Sequence, residues 1–244
     1  MDKILRTITS DGSLMAAAID SSEIVYTAQK VHGLSKTACA ALGRLLTGAS
    51  LMGDMLKTDG ATLTLKVNGG GPLGTLVAIS DSKGNVRGYV DHPEVDLPLK
   101  PNGKIDVGGG VGGQGRLAVI RDLGEKDPYI GQVELVSGEI AEDLTNYYAS
   151  SEQIPTVCAL GVLVDKEKGD ALLSGGLLIQ ALPGADNAAL DRLEQNIAKL
   201  DSVTTMLAKG MGPEEMCRAA LEGFQVEILD LSLIHISEPT RRSY

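Results

Sequence analysis

The decapeptide Gly175-Gly176-Leu177-Leu178-Ile179-Gln180-Ala181-Leu182-Pro183-Gly184 divides this chain into two kinds of sequence. Ahead of it runs a glycine-punctuated body whose apolar residues fall in short, strand-like runs. After it come amphipathic helical patterns. The decapeptide itself reads as a buried strand. Paired glycines permit close backbone approach, an apolar run fills a core, and Pro183-Gly184 ends it. Asp186 is placed to cap a helix that carries Leu190, Leu193, Ile197 and Leu200 at helical spacing.

In the body, the first thirty residues predict two strands, 14–20 and 23–29, with a turn at 20–22. Ser35 is placed to cap a helix to about residue 57, with Ala38, Leu42, Leu45, Ala49, Met52 and Leu56 on one face. Gly43, Gly48 and Gly53 each cost that helix roughly 1 kcal/mol against Ala, so it must be pressed between neighbours that compensate. A meander follows, with strands at 62–67, 73–80, 86–90, 116–121 and 130–136. Ser137 is placed to cap a helix over 139–150. Strands at 156–164 and 171–182 complete the body, joined by a charged turn at 165–169. Beyond the decapeptide, helices are predicted at 187–200, at 203–209 and from Pro213. Residues 224–229 alternate like a strand but have no evident partner. The pattern is α+β: a β-sheet-rich core domain packed with one long helix over 1–183, then a small α-helical linker arm over 184–229.

Composition narrows the function. A net charge of −10 argues against nucleic-acid binding, which rests on a basic face. No apolar stretch reaches the length of a membrane span, and no signal peptide is evident at the N-terminus. Cys39, Cys158 and Cys217 are scattered singly, without metal-ligand spacing, and read as reduced thiols of a cytoplasmic protein; no metal or other cofactor site is predicted in this chain. With no Trp and Phe224 as the single Phe, the core must be aliphatic.

Candidate sites are few. Gly108-x-Gly110-x-x-Gly113 and Gly110-x-Gly112-x-x-Gly115 have dinucleotide-binding spacing, but a strand rather than a helix is predicted after them. Gly69-Gly70-Gly71 lacks the Lys-Ser/Thr of a phosphate loop. Turns and bulges are the expected role of both clusters; a nucleotide-binding enzyme using them is the alternative reading. No acid–base pair or nucleophile is singled out, and no enzyme is predicted. The arm offers a larger feature: Leu190, Leu193, Ile197, Leu200, Met206, Leu207, Met211 and Met216 place an adaptable Leu/Met surface on a short segment. It either packs on the body or serves as a displaceable surface for varied partners.

Several short motifs, taken in order, resemble the redox-regulated 33-kilodalton heat-shock chaperone family. They are His32-Gly33-Leu34-Ser35, then Ala41-Leu42-Gly43-Arg44-Leu45-Leu46-Thr47, Gly71-Pro72-Leu73-Gly74 and Val86-Arg87-Gly88-Tyr89-Val90. Ser151-Glu152-Gln153-Ile154-Pro155-Thr156 and the decapeptide, with Gly175, Gly176, Gln180, Pro183 and Gly184, complete the set. The resemblance spans the chain to about Leu229. It implies an ATP-independent holdase of the cytoplasm that binds unfolding clients under oxidative or heat stress and can form a homodimer. It also implies a C-terminal domain whose four cysteines, in a Cys-x-Cys and a Cys-x-x-Cys pair, hold zinc until oxidation to disulfides releases it and frees the arm.

The chain departs from that pattern at its end. Neither cysteine pair is present, and Cys39, Cys158 and Cys217 do not match them. Residues 230–244, with Leu231-Ser232-Leu233-Ile234-His235-Ile236-Ser237-Glu238-Pro239-Thr240-Arg241, resemble the translation of a sequencing-library adapter and are expected to be a non-native tail after a truncated gene fragment. Without its zinc clamp, the arm is expected to be free and the holdase constitutively active. An arm that stays docked and blocks binding, and an inert fragment, are the alternatives.

Overall fold

The computed structural model describes residues 2–124, 127–165 and 167–236. It opens with a hairpin, β1 (Lys3–Thr9) and β2 (Leu14–Asp20), with Lys3 opposite Asp20 and Ile8 opposite Met15. β2 is the expected first strand, and β1 is an additional one. The strand expected at 23–29 is instead helix α1 (Ser22–His32). Alternation of Ile24, Tyr26 and Ala28 fits a strand, yet the residues buried are Ile24, Val25, Ala28 and Gln29, a helical stripe. A remote contact fixes it. The Asp2 carboxylate accepts from the backbone N–H of Glu23 at 2.9 Å and of Ile24 at 2.7 Å, satisfying donors at the helix start.

Burial raises the Asp2 carboxyl from its ordinary 3.8 to about 6, against the lowering effect of those two hydrogen bonds; Asp20 and Glu23 add to the rise. The folded chain therefore holds a proton that the unfolded chain releases between pH 3.8 and about 6. This group's contribution to stability is present at the low end of that window and is lost as pH rises through it. Thermal unfolding of the wild type and Asp2→Asn should show their difference moving in favour of the wild type between pH 7 and pH 5. A difference that does not change with pH would refute this assignment.

The long glycine-bearing helix is α2 (Lys36–Asp54), with the Ser35 side chain accepting from Ala38 N–H as predicted. Every residue of α2 except Lys36 and Arg44 is buried. Its glycines mark close approaches: a Cβ on Gly48 would sit 2.7 Å from a Leu144 methyl, and one on Gly53 would sit 2.7 Å from the Asp81 carbonyl oxygen. The expected meander follows as β3 (Thr62–Asn68), β4 (Leu76–Asp81) and β5 (Val86–Val90), then a short helix α3 (Val107–Val111), β6 (Arg116–Asp122) and β7 (Tyr129–Glu134). Helix α4 (Ala141–Tyr147) and a π-helical turn (Tyr148–Glu152) lead into β8 (Thr156–Val164) and β9 (Ala171–Ala181). Ser137 does not cap α4. Asp143, itself inside the first turn, accepts from the N–H groups of Val136, Ser137, Gly138 and Ile140 at 2.7–3.3 Å.

The arm is α5 (Asn187–Ile197), α6 (Val203–Ala208) and α7 (Pro213–Ala220). It is followed by β10 (Val226–Leu233), so the strand pattern near 224–229 does find a partner: β10 pairs antiparallel with β1, Thr9 opposite Val226 and Lys3 opposite Leu233. A boundary drawn at residue 230 cuts through this strand. Ile234 is buried, and Ile236 bridges to Val86 of the second sheet. Residues 230–236 thus pair and pack with the body in this structure, and residues 237–244 lie outside the described residues.

Two antiparallel five-stranded sheets result, in the orders β10-β1-β2-β9-β8 and β5-β4-β3-β6-β7. One core fills the space around α2, drawing Ile4, Ala17, Ile19 and Leu178 from the first sheet and Leu63, Leu65, Leu76 and Val86 from the second. Because strand side chains alternate, the neighbours Leu5, Ala16, Ala18, Leu177 and Ile179 point to the other face of the first sheet and join a second core with the arm. The layers run arm helices, first sheet, α2, second sheet.

Candidate functional site

The face of the first sheet turned away from α2 is built from β1, β2 and β9: Leu5, Leu14, Ala16, Ala18, Leu177 and Ile179, all 2% exposed or less. What covers it is the arm, a series of short helices each started by a local cap. Asp186 accepts from Ala189 N–H at 2.8 Å, and Ser202 accepts from Thr205 N–H at 3.3 Å. Pro213 opens α7, and Glu215 reaches back to the N–H of Gly212 at 2.9 Å.

Of the eight arm residues singled out in the sequence, Leu193, Met206, Leu207 and Met216 are buried in this second core. Ile197, Leu200 and Met211 pack against it half-buried, and Leu190 is half-exposed outside it. Val203, Cys217, Ala220 and Leu221 are equally buried there, and Phe224 flanks them. The helical stripe of α7 contains Cys217 and Ala220, small residues that a search for large side chains passes over. The arm is docked; the freed arm expected from the missing clamp is not its conformation here.

The decapeptide supplies the seat. Gly175 of β9 lies opposite Gly161 of β8. A Cβ on Gly175 would come within 2.9 Å of a Leu207 methyl and 2.5 Å of the Ile19 carbonyl oxygen, and one on Gly161 within 2.8 Å of the Thr204 methyl. This bare patch of sheet lets the start of α6 rest on the backbone. Gly176 faces the other way, where a Cβ would meet Leu160, Leu51 and Thr47 beside α2. Gln180 is buried, while Pro183 and Gly184 are exposed where the chain leaves the sheet.

The remaining motif residues are dispersed rather than gathered at one site. Gly33 ends α1 at φ 62°, Leu34 is buried behind it, and Ser35 caps α2. A Cβ on Gly43 would press on Val25 and Val162 at 2.9 Å. Arg44 pairs with Glu139 at 2.6 Å. Burial alone would raise the Glu139 carboxyl, but Lys100 and Arg44 hold it below its ordinary value. Glu152 accepts from the Tyr147 hydroxyl at 2.5 Å and pairs with Arg121 at 3.1 Å, with Gln153 in the left-handed region at φ 57° and Ser151 beside them. Arg87 and Tyr89 face outward from the second sheet around Gly88.

The glycine clusters pack on each other. Gly71 donates to the Val111 carbonyl at 2.9 Å, and a Cβ on Gly69 would sit 2.0 Å from the Gly112 oxygen. Pro72 is exposed beside them. The element after both glycine spacings is the strand β6, as expected; the unpredicted short helix α3 lies within the first spacing, and Asp106 occupies its start by accepting from Gly109 N–H at 2.9 Å. The cysteines cannot share a zinc ion: Cys39 and Cys158 belong to the core around α2, and Cys217 to the core across the sheet. Burial pushes all three thiols up to about 12, leaving little thiolate to react with an oxidant. Among the described residues no helix is long and apolar enough to cross a membrane, and no cluster of His, Cys, Asp or Glu could hold a metal ion.

Comparison with known proteins agrees with this architecture. The profile of the family described as Hsp33 protein matches residues 2–238. The chain is similar to the 33 kDa chaperonin of Clostridioides difficile, 45% identical over 229 residues, covering 94% of this chain and 78% of that protein. It is also similar to that of Clostridium perfringens, 46% identical over 230 residues, covering 94% and 72%. The crystal structure of the 33 kDa chaperonin from Thermotoga maritima superposes with a TM-score of 0.90 at 36% identity, covering 98% of this chain and 81% of that one. A face-covering helical arm on a two-sheet body, with a family match along nearly the whole chain, places this protein in the Hsp33 family of chaperones.

Proposed function

We propose that this chain is an ATP-independent holdase of the cytoplasm, which binds unfolding proteins on the apolar face of the first sheet and on the arm that covers it. The observation that carries this reading is the covered face itself. Leu5, Leu14, Ala16, Ala18, Leu177 and Ile179 make a continuous apolar floor, and the helices over it are 11, 6 and 8 residues long. Isolated helices of that length are marginal in water, so the cover is held by its packing and can lift as a unit. Lifting exposes floor and arm together, a Leu/Met-rich surface suited to varied clients. The docked arm is the resting state, and clients bind when it opens. Redox control through zinc would need ligands other than this chain's Cys39, Cys158 and Cys217.

Light scattering by a heat-unfolding client tests the reading. The chain should suppress aggregation at molar excess, with or without ATP, and equally in peroxide and in dithiothreitol. Absence of suppression at excess sinks the holdase reading. Strong dependence on peroxide sinks the assignment of the thiols as unreactive.

A further inference from the structure

Among the described residues no element covers the outer face of the second sheet. Its inner residues, Leu63, Leu65, Val67, Leu76, Ala78, Val86, Leu117 and Val119, pack in the core around α2. The alternate positions point outward, and the register aligns them in rows. One row runs Arg87, Ile79, Thr64, Ile120, Ile130 across β5-β4-β3-β6-β7; the next runs Tyr89, Val77, Lys66, Ala118, Gln132. Val77, Ile79, Ala118 and Ile120 are half-exposed, and Ile130 is 55% exposed. Among the described residues none of these belongs to either core.

Two cations stand in this apolar field. Arg87 and Lys66 are exposed, and among the described residues neither has a carboxylate partner. The acids lie in the rows on either side: Asp81 and Asp122 flank Thr62, each accepting backbone N–H groups, and Glu134 pairs with Arg116 at 3.0 Å. In a chain of net charge −10, the charged side chains of these two rows are both cations, Lys66 on the central strand β3 and Arg87 on the edge strand β5. Gly88 keeps the arrangement in place. A Cβ there would sit 2.4 Å from the Val77 carbonyl oxygen and 3.0 Å from a Leu46 methyl, so β5 lies flat on β4 and α2 with Arg87 and Tyr89 turned outward.

We propose that this face is a docking surface for acidic amphipathic segments of other proteins, separate from the face under the arm. Arg87 and Lys66 lie two strands and one row apart, about 12 Å between Cα atoms from standard strand spacings. Carboxylates seven residues apart on a helix are about 10.5 Å apart, with apolar positions i+3 and i+4 between them to meet Ile79 and Val77. Charge complementarity selects the partner: a basic segment is repelled, and a second copy would bring like charges together. The negative net charge disfavours nucleic acid. The surface deepens the chaperone reading by giving it a client class, and it rests on that reading.

The probe is a fluorescein-labelled amphipathic peptide with leucines facing one side and glutamates at i and i+7, compared with its Gln and Lys counterparts by anisotropy. The wild type should bind the Glu peptide at least tenfold more tightly than the Lys peptide, and 0.3 M salt should narrow the gap. The double variant Arg87→Glu/Lys66→Glu, altered only at exposed positions, should reverse the order. Equal binding of the Glu and Lys peptides by the wild type overturns the proposal without any variant. So does an unchanged preference in the double variant, or tighter binding of a single-stranded oligonucleotide that competes with the peptide. In light scattering, the double variant should lose protection of an acidic client and keep that of a basic one. Unchanged protection of both sinks this surface alone, whereas no protection by the wild type sinks the holdase reading beneath it.

Discussion

Met216→Asp should lift the arm and, on the proposed function, strengthen suppression of client aggregation. Met216 is fully buried in the second core, where α7 meets β1 and β2. A carboxylate there has no cation to pair with inside the cluster, and burying it unpaired costs several kcal/mol. The arm can avoid that cost by undocking, because the core around α2 lies on the other face of the sheet and loses nothing. The expected result is suppression of aggregation at a lower ratio of chaperone to client than the wild type needs. Faster proteolysis between α5 and α7 and stronger binding of a hydrophobic dye should accompany it. Arg218→Ala, on the exposed side of the same helix, should change none of these. An arm shown open by proteolysis but without any gain in suppression would mean that the covered face does not bind clients.

Asp143→Ala should be among the most damaging single changes in the body. One buried carboxylate satisfies four backbone donors, those of Val136, Ser137, Gly138 and Ile140. It also holds Ile140, a non-glycine residue at φ 71°, in the left-handed region. Removing it leaves the buried N–H groups of Gly138 and Ile140 without that acceptor at about 1–3 kcal/mol each, with the part-buried ones of Val136 and Ser137 adding less, so a loss of about 3 kcal/mol is expected. For a chain of this size that lowers Tm by roughly 6–12 °C. Asp143→Asn retains one oxygen acceptor and should fall between. A loss below about 1 kcal/mol in denaturant unfolding would show that the loop finds other acceptors.

Most of the body was legible in the sequence because its signals are local. Ser35 announces α2, the alternation of Thr62, Leu63, Thr64, Leu65 announces β3, and Asp186 announces α5; each acts within a few residues. The misreadings have remote causes. α1 is a helix because Asp2, twenty residues upstream, caps it. α4 is started by Asp143 acting on residues before itself, not by Ser137. β10 lacked a visible partner because β1 lies more than two hundred residues away. Seven of the eight arm residues share the second core or its margin, and Leu190 stays outside it.

The sequence by itself determined the α+β class, the long central helix and the family motifs, since periodicity, caps and turns are written in neighbouring residues. Only the tertiary structure decided where the arm goes. An amphipathic stripe requires an apolar partner but does not name one, and free and docked arms share the same periodicity. Gly175, read in the sequence with Gly176 as a pair permitting close backbone approach, forms one bare floor with Gly161 only when β8 and β9 pair. That pairing, by leaving room for α6 against the backbone, determines which face of the sheet is covered and which surface the protein keeps open.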